Sequence, residues 1–201
     1  MISLTLNIGK LYHSLEAQRA IDFMVANKYL DPLAQKAYIE GINGCVEHVT
    51  VVQDIIQHAK LNHKTVRITW FDLEDAFGSV CHMLIPFVMK HYNIPTQITR
   101  YISNLYSKLR GKVTCPDWES DLFRFLKGVF QGDPFSGVIF LIVFNPLIEF
   151  IKNQKDKQGY QLSTKTNAMF VNTTMFADNF NVMSRNIKQH QTLVTDVEEK
   201  L

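Results

Sequence analysis

The sequence predicts an α+β fold, and three observations carry that prediction. Apolar residues recur at helical spacing in the first third, at Leu11, Leu15, Ile21, Met24 and Val25. The run Thr65-Val66-Arg67-Ile68-Thr69-Trp70-Phe71 is β-branched and aromatic, which suits a strand. Two apolar stretches flank Ala177-Asp178-Asn179-Phe180, the pattern of two strands joined by a tight hairpin turn.

The elements come in order. After the first helix, Asp31-Pro32 reads as an N-cap with proline in the first helical turn. Gly41 and Gly44 interrupt the chain, and Val49, Val52, Ile55, Ile56 and Ala59 define an amphipathic helix ending near Asn62. The strand 65–71 ends at Asp72. Helices are expected over 82–92 and 95–109, the second opened by Pro95 and stopped before Gly111. Short strands are expected over 112–115 and 121–127, with 116–120 as their turn. Residues 128–136 form a loop, and Asp133-Pro134 repeats the cap-then-proline signature. A helix then runs over 134–153, with Pro146 expected to kink it. A polar connection, 152–158, leads to strands over 168–173 and 174–184. A last helix begins near Asn186 and has no stop signal before the final residue.

Composition narrows the function. The chain has 201 residues, 21 Lys+Arg against 19 Asp+Glu, and is 46% hydrophobic, so it can bury a core and is no disordered charged tail. Its net charge of +2 argues against a free-standing binder of nucleic acid that works by bulk charge. Cys45, Cys81 and Cys115 are odd in number and widely spaced, so they read as reduced thiols of an intracellular protein. The first nine residues lack the basic start and apolar stretch of a secretory signal. The apolar run 137–151 is short for a bilayer and carries Asn145, Pro146 and Glu149, so a buried helix is expected and no membrane partner.

Two aspartates stand out. Asp72 closes the first strand, and Asp178 sits at the hairpin tip. A carboxylate beside apolar strand residues needs a partner. Magnesium takes one or two carboxylates and leaves its other positions to water and phosphate oxygens. Two aspartates on neighbouring strands could hold two metals for an in-line phosphoryl displacement. On spacing alone, each reads first as a turn or cap residue, a place where aspartate is common. Cys45-Val46-Glu47-His48 lacks a second ligand pair at zinc-finger distance. Glu74 and Asp75 read as an exposed helix start, and Lys108, Arg110 and Lys112 as solvated charges.

Three ordered blocks carry a resemblance. Phe71-Asp72-Leu73-Glu74-Asp75-Ala76-Phe77-Gly78-Ser79-Val80-Cys81-His82 is similar to the F-x-D-x-x-x-A-F-x-x-V-x-H block of non-LTR (LINE-type) retrotransposon reverse transcriptases. Gly128-Val129-Phe130-Gln131-Gly132-Asp133-Pro134-Phe135-Ser136 resembles their G-V-x-Q-G-D-P-L-S block, and Phe176-Ala177-Asp178-Asn179 their F-A-D-D block. Upstream, Gln35-Lys36-Ala37-Tyr38-Ile39-Glu40-Gly41 resembles a Q-K-x-F-x-x-G segment of the fingers.

The resemblance implies a right-hand polymerase fold: partial, mostly helical fingers over 1–64, then a palm over 65–201. The palm would be an antiparallel sheet packed by helices, with a finger-like insertion around 95–127. The thumb and the rest of the polyprotein would be missing, and basic residues that help bind the triphosphate would precede Met1. The implied reaction is RNA-directed DNA synthesis on an RNA template and DNA primer, with deoxynucleoside triphosphates and Mg2+. Asp72 and Asp178 match the catalytic, metal-holding aspartates. Phe77 matches the aromatic that excludes a ribose 2′-hydroxyl, and Gln131 and Gly132 the loop beside nucleotide and template. Asn179 departs from the family, which has a third aspartate there. The resemblance therefore implies impaired or absent catalysis, with the isolated chain binding primer-template weakly and extending no primer. A degenerate or co-opted domain that binds nucleic acid or protein is the alternative.

Overall fold

Strand β1 (Arg67–Phe71) pairs antiparallel with a later strand, and the architecture around the two aspartates grows from that pairing. The computed structural model describes residues 7–154, 159–163 and 168–201. By contacts the chain divides into two units, Met1–Tyr29 with Asp75–Val143, and Leu30–Glu74 with Phe144–Leu201.

The second unit holds a three-stranded antiparallel sheet. Its elements are α2 (Gly44–Leu61), β1, β6 (Tyr160–Ser163), β7 (Ala168–Val171), β8 (Thr173–Phe176), β9 (Asn179–Ser184), the end of α6 (Pro134–Asn153) and α7 (Ile187–Glu198). β9 is central, with β1 and β8 on its flanks. Alternation along β9 sends Phe180 and Val182 to one face and Met183 to the other. The first face packs on Leu147, Ile148 and Ile151 of α6 and on Leu193 and Val197 of α7. The second packs with Val52, Ile55 and Ala59 of α2 and with Tyr160. Both faces are covered, which is why β9 is buried over five of its six residues.

In this unit three expectations need correction. The strand expected over 168–173 is broken at Asn172, whose side-chain amide donates to the Ile151 carbonyl. β6 was not foreseen; it pairs with β7, Tyr160 opposite Val171. Asp31-Pro32 opens a single turn and no helix. The Asp31 carboxylate accepts from Leu33 N at 2.9 Å and meets Lys152 Nζ at 2.5 Å, so the cap chemistry is present without a helix to propagate it. Residues 155–158 of the expected connection lie outside the described residues, as does Met1.

The first unit contains α1 (Asn7–Ala26), α3 (Ala76–Ser79), α4 (Leu84–His91), α5 (Thr96–Ser107), four two-residue strands and the start of α6. The apolar face expected for α1 is half wrong. Leu11 and Leu15 are 74% and 58% exposed, while His13, Ala17, Ala20, Ile21 and Met24 are buried. The buried stripe is set by a polar anchor: His13 Nδ1 meets Asp133 Oδ2 at 2.5 Å, and its Nε2 meets the Tyr101 hydroxyl at 2.6 Å. The strands expected over 112–115 and 121–127 are shorter: β2 (Arg110–Gly111) pairs with β5 (Phe123–Arg124), and β3 (Thr114–Cys115) with β4 (Trp118–Glu119). Nearly all these residues are exposed, so no core extends the ladders.

Helix α6 matches its expected bounds, with Pro146 inside it. Asp133 Oδ1 accepts from Phe135 N at 2.9 Å, the N-cap bond the sequence implied. Among the described residues it is the one helix long and apolar enough to cross a membrane, which exceeds the expectation from 137–151, but most of it is buried within the fold.

Candidate active site

The register places the two aspartates. β1 ends with Phe71 opposite Phe180, so Asp72 follows at the level of Asn179. β8 and β9 pair as far as Phe176 opposite Asn179, leaving Ala177-Asp178 as a two-residue loop. Asp72, Asp178 and Asn179 therefore come together at one end of one sheet. The anchor beneath them is aromatic: Phe71 and Phe180 stack at 4.8 Å with 4° between their planes.

Asp72 and Asn179 are exposed and Asp178 is half-buried. Neither carboxylate has a hydrogen-bond or ion-pair partner among the described residues. Asp178 makes itself felt on Tyr38, whose phenol is held above its ordinary value of 10.0, first by burial and then by that negative charge. Two uncompensated oxygen donors at one strand end suit a hard divalent cation. Among the described residues no group of three or more His, Cys, Asp or Glu is placed to hold a metal.

The loop has an unusual residue. Ala177 adopts φ 55°, left-handed backbone that costs a residue with a Cβ roughly 1–2 kcal/mol. The buried Gln35 side chain grips it: Nε2 donates to Ala177 O at 3.0 Å, and Oε1 accepts from Ala177 N at 3.0 Å. Oε1 also accepts from Ala37 N at 3.0 Å. The Gln35 backbone forms a parallel bridge with Met175, and Met175 N donates to Ala34 O at 2.8 Å. Nearby, His48 Nε2 bonds the Met175 carbonyl at 2.9 Å, and burial keeps the imidazole below its ordinary value. The C-x-x-H pair is thus no metal pair: His48 points at backbone and Cys45 is exposed. The sequence alone assigns Gln35 no role, and its place in the Q-K-x-F-x-x-G segment is the only signal it carries.

The remaining expected residues lie in the other unit. Phe77, on α3, is half-buried and stacks on Phe140 at 5.1 Å. Its carbonyl accepts from Val129 N at 2.8 Å, and Gly128 N donates to Val80 O at 2.8 Å, which binds the first block to the second. Gln131 and Gly132 come next, both exposed, and Gly132 has φ 92°, which glycine adopts freely. Asp75, the exposed residue before α3, makes no side-chain cap bond. Lys112 pairs with Glu119 at 2.6 Å, as a solvated charge would.

The antiparallel sheet with its covering helices can be set beside known proteins, and the comparison gives a family. The chain belongs to the reverse transcriptase (RNA-dependent DNA polymerase) family, which it matches over residues 5–201. It is similar to the retrovirus-related Pol polyprotein of the type-2 retrotransposable element R2DM of Drosophila melanogaster, 26% identical over 68% of this chain and 12% of that protein. The Pol polyprotein of the type-1 element R2 of Bradysia coprophila is 29% identical over 60% of this chain and 14% of that one. The chain spans a small part of the length of these relatives. Among solved structures, apo telomerase of Candida tropicalis truncated from its C-terminal domain matches at TM-score 0.61 and 13% identity, over 92% of this chain and 36% of that one. Telomerase of the same yeast in complex with a fragment of telomeric RNA matches at TM-score 0.61 and 14% identity, over 90% and 30%. These likenesses show the shared fold.

Proposed function

We propose that this domain is the nucleotidyl-transfer core of an RNA-directed DNA polymerase, with its catalysis strongly reduced by Asn179. The reading is supported by one observation above all: the register that brings Asp72, Asp178 and Asn179 to one strand end. Asp72 and Asp178 would hold divalent metal, Mg2+ by the chemistry of the donors. Held by these two carboxylates, a divalent ion would supply activation of the primer 3′-hydroxyl and charge neutralisation at the departing pyrophosphate. Phe77 would reject a ribose 2′-hydroxyl by a clash, and Gln131 and Gly132 would border the incoming nucleotide and the RNA template. The free thiols of Cys45, Cys81 and Cys115 suit work inside the cell.

Asn179 specifically favours a second reading, a non-catalytic domain that binds nucleic acid or a protein. Two carboxylates bring two negative charges to a site that would take two divalent ions. The test is metal-dependent primer extension by a longer polypeptide carrying this domain, with Asn179 or Asn179→Asp. We expect the aspartate to raise extension at least about tenfold, the worth of roughly 1.4 kcal/mol at the barrier. Equal, robust extension by both would refute the impairment. No extension by either would favour the second reading.

A further inference from the structure

We infer that Gln35 is a positioning residue that holds the Ala177-Asp178 loop in its left-handed turn and so aims the Asp178 carboxylate. The inference rests on the reading of Asp178 as a metal ligand.

Three features lead to it. Gln35 is fully buried, at 0% exposure, where an unsatisfied amide would be costly. Its three side-chain bonds all go to backbone: both polar groups of Ala177, and Ala37 N. Ala177 has φ 55°, a conformation its own Cβ resists. β8 ends at Phe176, yet the ladder does not end there. The Gln35 backbone bridges Met175, and its side-chain amide then pairs with Ala177 as a peptide group of a neighbouring strand would. The amide thus supplies one more rung, one residue before Asp178. A tight loop relaxing to ordinary backbone would swing the carboxylate away from the strand end. Oxygen ligands of Mg2+ must sit in near-ideal geometry, so that swing would be felt as lost affinity. Nothing in this role requires Gln35 to touch metal or substrate.

The test uses this chain and Mn2+ as probe. In the wild type, the Gln35 side-chain amide protons should exchange slowly with solvent, and Mn2+ should broaden the Asp178 resonances, an effect lost in Asp178→Asn. Gln35→Met keeps the length and removes all three bonds. We expect exchange at Ala177 N to accelerate about tenfold or more. The Mn2+ needed for half-broadening should rise by a similar factor, while exchange at Val182, in the central strand, stays unchanged. A residue serving stability alone would move Val182 as well. Unchanged protection there in Gln35→Met, or unchanged Mn2+ affinity despite faster exchange, overturns the inference. Rapid exchange of the wild-type Gln35 amide overturns it without any variant. If the wild type shows no Asp178-dependent Mn2+ effect, the metal reading fails instead, and exchange at Ala177 still decides whether the grip exists.

Discussion

Phe180 is the residue whose loss should damage the candidate site from beneath. Its ring is 1% exposed, stacks on Phe71 at 4.8 Å and receives Phe144 at 5.7 Å with a 62° tilt. It faces Phe71 in β1 and Met175 in β8, so it belongs to both pairings that bring Asp72 and Asp178 to one strand end. Phe180→Ala removes the ring and leaves a cavity that α6, α7 and the sheet can close only in part. Buried phenylalanine truncations cost about 3–5 kcal/mol, and two favourable ring contacts argue for the middle of that range, ~4 kcal/mol. Against a total stability of roughly 5–15 kcal/mol, that is a severe loss. Urea unfolding followed by tryptophan fluorescence measures it. With a slope of about 2 kcal/mol/M, the midpoint should fall by about 2 M. Phe180→Leu, which refills much of the space, should cost less than half as much. A loss below ~1 kcal/mol for Phe180→Ala with an unchanged slope would mean that the ring does not anchor the sheet.

Other predictions rest on single contacts. Asp178→Asn should lower the Tyr38 phenol, since it removes one of the two causes that raise it. Ultraviolet titration against Tyr38→Phe would show the shift, and an unmoved phenol would mean that Asp178 does not face Tyr38. Gly44→Ala should destabilise by about 1–3 kcal/mol despite the better helix propensity of alanine. A Cβ there would lie 2.6 Å from Lys36 Cβ and 3.1 Å from the Phe176 ring, neither the far end of a flexible chain; a raised melting temperature would refute this. Acid should weaken the fold. Burial holds both His48 and His190 below their ordinary value of 6.5, with Lys36 lowering the first further and Arg67 the second. Met175 O and Glu47 only partly oppose this at His48. The unfolded chain binds these protons near 6.5 and the folded chain only at lower pH, so stability is complete above that value and falls below it. Urea midpoints measured across this window should drop with pH, and His48→Gln should flatten the slope; a flat wild-type profile would sink the account.

The legible parts of this protein are those in which a local signal and the tertiary fold agree. Asp133-Pro134 caps a helix because an apolar run comes after it that can be buried. Asp31-Pro32 carries the same dipeptide signal, but four residues later Gln35 is drawn into the sheet, and the turn stops. The hairpin at Ala177-Asp178 is readable from its flanks. Its backbone strain is not, because alanine is no marker of positive φ. The face of α1 escapes the sequence pattern because its anchor is a histidine bonded to residues 88 and 120 positions away, a relation with no local signature. Asp72 and Asp178 become candidates through motif order, and their meeting at one strand end depends on a pairing between β1 and β9 that spans more than a hundred residues.

The position of Asn179 separates folding from chemistry. Its backbone pairs with Phe176 at the first rung of the hairpin, while its side chain is exposed. Asparagine and aspartate are nearly the same size, so Asn179→Asp should leave the register, the Phe71–Phe180 stack and the Gln35 grip in place. What changes is one negative charge at the level of Asp72. In water such a charge matters little, but between bound cations that repel one another it matters much more. The sheet can therefore persist unaltered with its electrostatic capacity reduced. A fold-level match therefore speaks to ancestry, and the proposed loss of catalysis rests on a side chain that the fold does not need.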